Sequence, residues 1–230
     1  MSMEELRLNL KRTKDIRNPH EYVRAMHGEC KDWVFDEEAA PNFKGRWKQD
    51  VFKSDAPLDL EIGTGNGFFF AQRAKECPER SLLGIEVKYK PLIQAIRRAR
   101  RNGSENMRLV RYDGRLIPHL FEKDEIDHVF IHHPDPWHKQ RQHGRRMMNS
   151  DFLNLLFDHQ KEDRILEFKT DSREYFLWAE SEIKKTKYKI DKYTLDLHSS
   201  EWHQPEHITH FQKLFDEQQV PINYMTLIRS

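Results

Sequence analysis

Only two cysteines, Cys30 and Cys77, occur in the 230 residues, and glycine is used nine times. Two thiols are too few for a disulfide framework or a cysteine-built zinc site, so a reducing compartment is the expectation. No run approaches the roughly 18 apolar residues of a spanning helix. The opening MSMEELRLNLKRTK has no apolar leader segment, and together these point to a cytoplasmic protein without a membrane partner. Charge of one sign is also scarce in the total: 39 Lys and Arg against 38 Asp and Glu leave a formal net charge of +1. An anionic partner must therefore be met by a local cluster rather than by the field of the whole molecule. Internal repeats are missing as well. A chain that is 37% hydrophobic and 33% charged is long enough to bury a core beneath large polar surfaces.

From Leu58 onward, short runs rich in branched residues alternate with helical patterns, which predicts an α/β fold with helices on both faces of a mostly parallel sheet. Seven strands are expected, five of them parallel: 58–63, 81–87, 107–113, 127–133 and 164–171. The runs 187–198 and 222–229 would pair to close one edge. Residues 1–54 read as a polar arm packed on a domain spanning 55–230, with Trp33, Phe35, Phe43, Trp47 and Phe52 spaced irregularly. A helix after the second strand starts near Pro91 and places Leu92, Ala95, Ile96 and Ala99 on one face, with Gly103 past its end. Its Arg97, Arg98, Arg100 and Arg101 flank that face and read as a solvated surface.

EIGTGNG, residues 61–67, ends the first expected strand and opens a helix, so a tight turn presents backbone N–H groups. Gly63, Gly65 and Gly67 do not follow the dinucleotide pattern G-x-G-x-x-G, because Phe68 comes next. Their spacing resembles the E-x-G-x-G-x-G of S-adenosylmethionine-dependent methyltransferases. Glu86 closes the second strand, where an acid can accept both ribose hydroxyls. Asp113 closes the third, within reach of an adenine amino group, and Glu61 can face the cationic end of the cofactor. Any one of these acids could be a helix cap or a solvated turn. At three successive strand ends they form a set.

HHPDPWHKQRQHGRR, residues 132–146, fixes Asp135 between two prolines and follows it with a cationic stretch. An N6-adenine methyltransferase would show Asn or Asp, then Pro-Pro and an aromatic. The PDPW stretch instead resembles the bacterial tRNA (guanine-N7-)-methyltransferases, which carry PDPW-x-K-x-R-H-x-K-R-R. NFKGRWKQDVF before the glycine turn and FKTD at 168–171 resemble other segments of that family, and the resemblance runs from about Asn42 to the C-terminus. It implies a Rossmann-like class I methyltransferase fold, S-adenosyl-L-methionine as cofactor, and tRNA as partner, with a variable-loop guanine as the target. By position, Asp135 corresponds to the catalytic aspartate and is also a cofactor contact, beside Glu61, Gly63, Gly65, Gly67, Glu86 and Asp113. Lys139 and Asp171 correspond to substrate contacts. Arg141, Arg145 and Arg146 fall in the RNA-binding stretch, and Thr209, Phe211 and Gln212 at the family's C-terminal substrate motif. The chain departs from the family at Gln142, Gly144 and Gln212, which stand where a histidine, a lysine and a glutamate are usual.

The chemistry suits the residues. Guanine N7 has a lone pair and no proton, so its methylation needs alignment and stabilisation of a cationic purine rather than a general base. Asp135 or Asp171 can accept from N1–H and the exocyclic amine of an extruded base while the cations hold phosphates. The rival readings are an RNA-binding protein that keeps the fold without turnover, and a methyltransferase on another RNA or a small molecule. No protein partner is required, and monomer and homodimer are both compatible. His203, His207 and His210 share the spacing of one helix face, but no fourth ligand is identifiable and no metal is expected.

Overall fold

In the computed structural model, which describes residues 10–203, 218 and 220–229, the predicted α/β architecture is present. The central strands β2 (Leu58–Ile62) and β3 (Ser81–Ile85) are buried at every position, as strands covered on both faces must be. Outward from β3 lie β4 (Met107–Val110) and β1 (Val34–Phe35). On the other side of β2 come β5 (Val129–His132), β6 (Ile165–Thr170), β8 (Asn223–Ile228) and β7 (Lys189–Thr194). The first six of these strands pair in parallel, and β8 is antiparallel to both β6 and β7, as expected for the closing edge.

The sheet of the described residues has eight strands, not the seven expected. The addition is β1, in which Val34 pairs with Leu109 and Phe35 with Val110. Two residues cannot display an alternation of apolar and polar positions, so no pattern announces such a strand.

The N-terminal segment is anchored by buried polar contacts. Arg111 at the end of β4 donates to Glu37 at 2.6 Å, and the Thr13 hydroxyl donates to the same carboxylate at 2.8 Å. Burial works against the charge on Glu37, but the bonds from Thr13 and Arg111 outweigh it and hold the carboxyl below its ordinary pKa. Trp47, fully buried, donates from its indole nitrogen to the Leu120 carbonyl at 2.7 Å.

Helices α2 (Phe68–Glu76) and α3 (Tyr89–Arg101) pack together beside the glycine turn, and α1 (Glu21–His27) of the N-terminal segment lies against α3. The anticipated face of α3 is buried: Leu92, Ala95, Ile96 and Ala99 are closed to solvent. Its arginines do more than meet water. Arg97 pairs with Glu29 at 2.6 Å, Arg100 lies over the Trp33 ring at 5.4 Å, and Arg98 reaches the glycine turn. Further along the chain, the short α4 (Ile117–Leu120) packs against α5 (Ser150–His159), and α5 and α6 (Arg173–Ile183) pack on the sheet and on each other. No helix among the described residues is long and apolar enough to cross a membrane.

Candidate active site

The carboxyl ends of β2, β3 and β5, with the loop after β4, enclose a cleft of about 450 Å³. Its lining includes every expected cofactor residue: Glu61, Gly63, Gly65, Gly67, Glu86, Asp113 and Asp135. These residues come together because neighbouring parallel strands end on one edge and leave their loops above it.

The three glycines divide into two roles. Gly63 and Gly65 have φ of +81° and +51°, and a Cβ on either would meet nothing within 4 Å among the described residues. Gly67 (φ +72°) has no such room, since its Cβ would stand 2.3 Å from that of Ala95. Two glycines therefore shape a cradle, while the third lets α2 approach α3. Arg98 supports this turn by donating to the Asn66 carbonyl at 3.2 Å, with its guanidinium 3.5 Å from the Phe68 ring centroid.

The acids differ in their partners. Glu86 accepts from the Gly65 amide at 3.0 Å and the Lys88 amide at 2.9 Å, so it braces the turn. Asp113 is chelated by Arg115, whose backbone N–H and Nε donate to Oδ1 at 3.0 Å and whose Nη2 donates to Oδ2 at 2.5 Å. Burial opposes the charge on Asp113, yet these bonds keep its pKa below the ordinary value. Arg115 is absent from the expected site residues, although its position two residues after the acid suits such a chelate. Glu61 is buried, with Oε2 making no hydrogen bond, and burial with the nearby Glu86 charge pushes its pKa up to about 8.

An S-adenosylmethionine-like group fits these residues. The cradle at Gly63 and Gly65 accepts bulk, and the buried, unpartnered Oε2 of Glu61 can meet a cationic donor.

Asp135 is exposed at the mouth of the cleft, on a loop bent at both ends. His133 and Trp137, on either side of Pro134–Pro136, have φ of +46° and +44°, a conformation that L residues adopt only where surroundings impose it. One such restraint is Arg146, whose side chain is fully buried. Its Nε donates to the Pro136 carbonyl at 2.7 Å and its Nη2 to Glu174 at 2.6 Å, and its guanidinium lies 4.9 Å from the Trp178 ring centroid and 5.1 Å from that of Tyr175. The structure thus separates Arg146 from Lys139, Arg141 and Arg145, which are exposed. Arg146 cannot meet a phosphate from this position. Adjacent aromatic rings at i and i+3 of α6 make its socket, and nothing local to residue 146 signals them.

Asp171 follows β6 and sits beside the same loop, accepting from His133 Nδ1 at 3.4 Å. That bond, working against partial burial, holds the Asp171 carboxyl below its ordinary pKa. Thr209, Phe211 and Gln212 lie outside the described residues, as do His207 and His210. No group of three metal-ligating side chains occurs among the described residues.

Known proteins agree with this architecture. Residues 55–225 match a family model described as "Putative methyltransferase". The chain is 47% identical over 205 residues to a tRNA (guanine-N(7)-)-methyltransferase of Bdellovibrio bacteriovorus, covering 88% of this chain and 98% of that one. It is 35% identical over 161 residues to the protein of that name from Listeria monocytogenes, covering 70% and 75% respectively. Among solved structures, the 16S rRNA methyltransferase KamB superposes with a TM-score of 0.57 at 11% identity, over 78% of this chain and 89% of KamB. That likeness shows a shared fold. On the matched sequence, the chain belongs to the tRNA (guanine-N(7)-)-methyltransferase family.

Proposed function

We propose that this protein transfers a methyl group from S-adenosyl-L-methionine to N7 of a guanine in the variable loop of tRNA. The observation that carries the reading is the placement of a restrained aspartate, Asp135, at the mouth of a cleft built from Glu61, Glu86, Asp113 and the glycine turn. S-adenosyl-L-methionine, when bound, supplies an electrophilic methyl group on its sulfonium sulfur, with the neutral thioether S-adenosylhomocysteine as the leaving group. Glu61 would balance the cationic end, Glu86 would accept ribose hydroxyls, and Asp113 would accept from the adenine amine.

Asp135 and Asp171 would receive the guanine edge. Both follow neighbouring parallel strands, β5 and β6, and the His133–Asp171 bond ties their two loops together. A carboxylate there accepts from N1–H and the exocyclic amine, orients N7 towards the methyl group, and offsets the positive charge that the purine acquires. Its hydrogen bond leaves Asp171 ionised through the neutral range, as that role requires. The exposed Lys139, Arg141 and Arg145 would contact phosphates on either side of the extruded nucleotide. Arg146 would act through the loop that it braces. With Asp135 and Asp171 both supplying carboxylates, an amide in place of the family's glutamate at position 212 would remain compatible with hydrogen bonding to a base edge. A cytoplasmic location follows from a tRNA substrate.

Asp135→Asn and Asp171→Asn test the assignment in single-turnover methylation of unmodified tRNA. Each should cut the rate by about a hundredfold or more while tRNA affinity changes little. Full rates in both would refute the guanine-holding role.

A further inference from the structure

One buried polar row beside the cleft has no part in that chemistry. His132 ends β5 and pairs across the sheet with Lys169 of β6, which in turn pairs with Tyr224 of β8. Glu167, two residues before Lys169, shares their face. His132 Nε2 lies 2.8 Å from Glu167 Oε1, and Lys169 Nζ lies 3.2 Å from the same oxygen. The side chains of His132 and Lys169 are 4% and 6% exposed.

Charge balance within this row sets the state of the imidazole. Glu167 already has a cationic partner in Lys169; burial opposes its charge, but Lys169 and the His132 bond hold it ionised far below the usual range. A second buried cation would be uncompensated, and burial accordingly depresses His132 to a pKa of about 4. The neutral ring must carry its proton on Nε2 to donate to Glu167. Nδ1 is then a bare acceptor, and it is buried without a hydrogen-bond partner among the described residues.

His132 lines the cleft, and so does Glu61, which also holds a buried oxygen without a partner. The two are neighbours by register. Glu61 pairs with Phe130, and His132 is the next residue on that face of β5; the Phe69 ring packs on both, 5.0 Å from Phe130 and 4.4 Å from His132. A carboxyl that prefers a cation and an imidazole nitrogen that requires a donor together match a primary ammonium group. An ammonium has three N–H donors and can satisfy both acceptors at once.

The geometry points to His132 as a positioning residue that accepts a hydrogen bond from the α-ammonium of the cofactor's amino-acid end, with its tautomer fixed by Glu167 and Lys169. The inference rests on the proposed seating of that end at Glu61. It identifies what distinguishes a complete cofactor from its adenosine portion in this chain.

Calorimetric titration with two probes tests it. S-adenosylhomocysteine carries the ammonium, and 5′-methylthioadenosine has the same nucleoside and sulfur without the amino-acid tail. His132→Phe keeps an aromatic ring against Phe69 and removes the acceptor. It should weaken S-adenosylhomocysteine by about tenfold or more and leave methylthioadenosine within about twofold. His132→Asn, whose carbonyl oxygen can take the place of Nδ1, should recover most of the loss. Equal losses for both probes, or none for S-adenosylhomocysteine, would overturn the assignment. A wild-type readout avoids dependence on variants: the ¹⁵N resonance of Nδ1 should move on adding S-adenosylhomocysteine and stay put with methylthioadenosine. An unmoved resonance in the saturated protein would overturn it too. If Glu61→Gln leaves S-adenosylhomocysteine affinity unchanged, the seating itself fails, and that result is separate from any measured on His132.

Discussion

Glu61 and Glu86 face one cleft, yet only Glu86 is held by the backbone: its oxygens take the amides of Gly65 and Lys88, while Glu61 keeps a buried oxygen with no partner. The two acids thus differ: Glu86 braces the turn, and Glu61 leaves a buried oxygen open to a donor.

The pH dependence of binding follows from that difference. Glu61 has a pKa of about 8, above its ordinary 4.5, so it is largely protonated at neutral pH in the free protein. A bound cation favours the carboxylate, so S-adenosylhomocysteine should bind with release of a proton below pH 8, and affinity should climb from pH 6 to 8 and then level. Titrations in buffers of different ionisation enthalpy count that proton. For the fold the sign is opposite: the raised pKa gives a stability contribution that is full below about 4.5 and lost as pH rises through about 8. Glu61→Gln should therefore melt higher than the wild type at pH 9, while losing both affinity and proton release.

The glycines of the turn should respond to alanine differently. Gly67→Ala drives a methyl into Ala95 and should cost about 2–4 kcal/mol in denaturant unfolding. Gly65→Ala has open space at Cβ, so its unfolding cost should be limited to the strain of its positive φ, about 1–2 kcal/mol, with the greater loss in cofactor affinity. A reversal of these two effects would contradict the separate roles.

Arg146 is buried, whereas its neighbour Arg145 is exposed, with its guanidinium 5.2 Å from the Trp137 ring centroid. Arg146→Ala removes the brace on the Pro136 carbonyl and should lower stability by about 2 kcal/mol, together with the methylation rate. Arg146→Lys should recover little, because an ammonium cannot bridge the carbonyl and Glu174 with the same planar fork. Arg145→Ala should lower stability far less than Arg146→Ala, losing only an exposed contact with the Trp137 ring, and lower the salt dependence of tRNA binding by about 0.7–0.9 in log–log slope. Replacing Arg141 and Arg145 together should remove roughly twice that. A slope unchanged in the double variant would show that the exposed cations do not carry the RNA.

Much of this site is legible in the sequence. Glycine spacing, strand-end acids and the proline-flanked Asp135 are local signals, and parallel strands necessarily bring their ends to one edge. What the sequence hides depends on contacts distant in the chain. The basic stretch shows four cations, but only the Tyr175 and Trp178 rings of α6, some thirty residues on, turn Arg146 inward. In the same way, His132 reads as one histidine among thirteen until Glu167 and Lys169 fix its tautomer. The edge strand β1 is invisible there because pairing with Leu109 and Val110, not its own pattern, makes it a strand. Arg98 reads as solvated because helix periodicity cannot show that the Asn66 carbonyl lies beside it.

Base-resolved mapping of methylation tests the central claim most directly. Purified protein would be incubated with unmodified tRNA and methyl-labelled S-adenosyl-L-methionine, and the label located by cleavage at 7-methylguanine, for the wild type and for Asp135→Asn in parallel. Cleavage at a variable-loop guanine is expected with the wild type, and labelling about a hundredfold slower or more with the variant. Label at another atom or another loop, or none at all from a protein that binds both cofactor and tRNA, would contradict it.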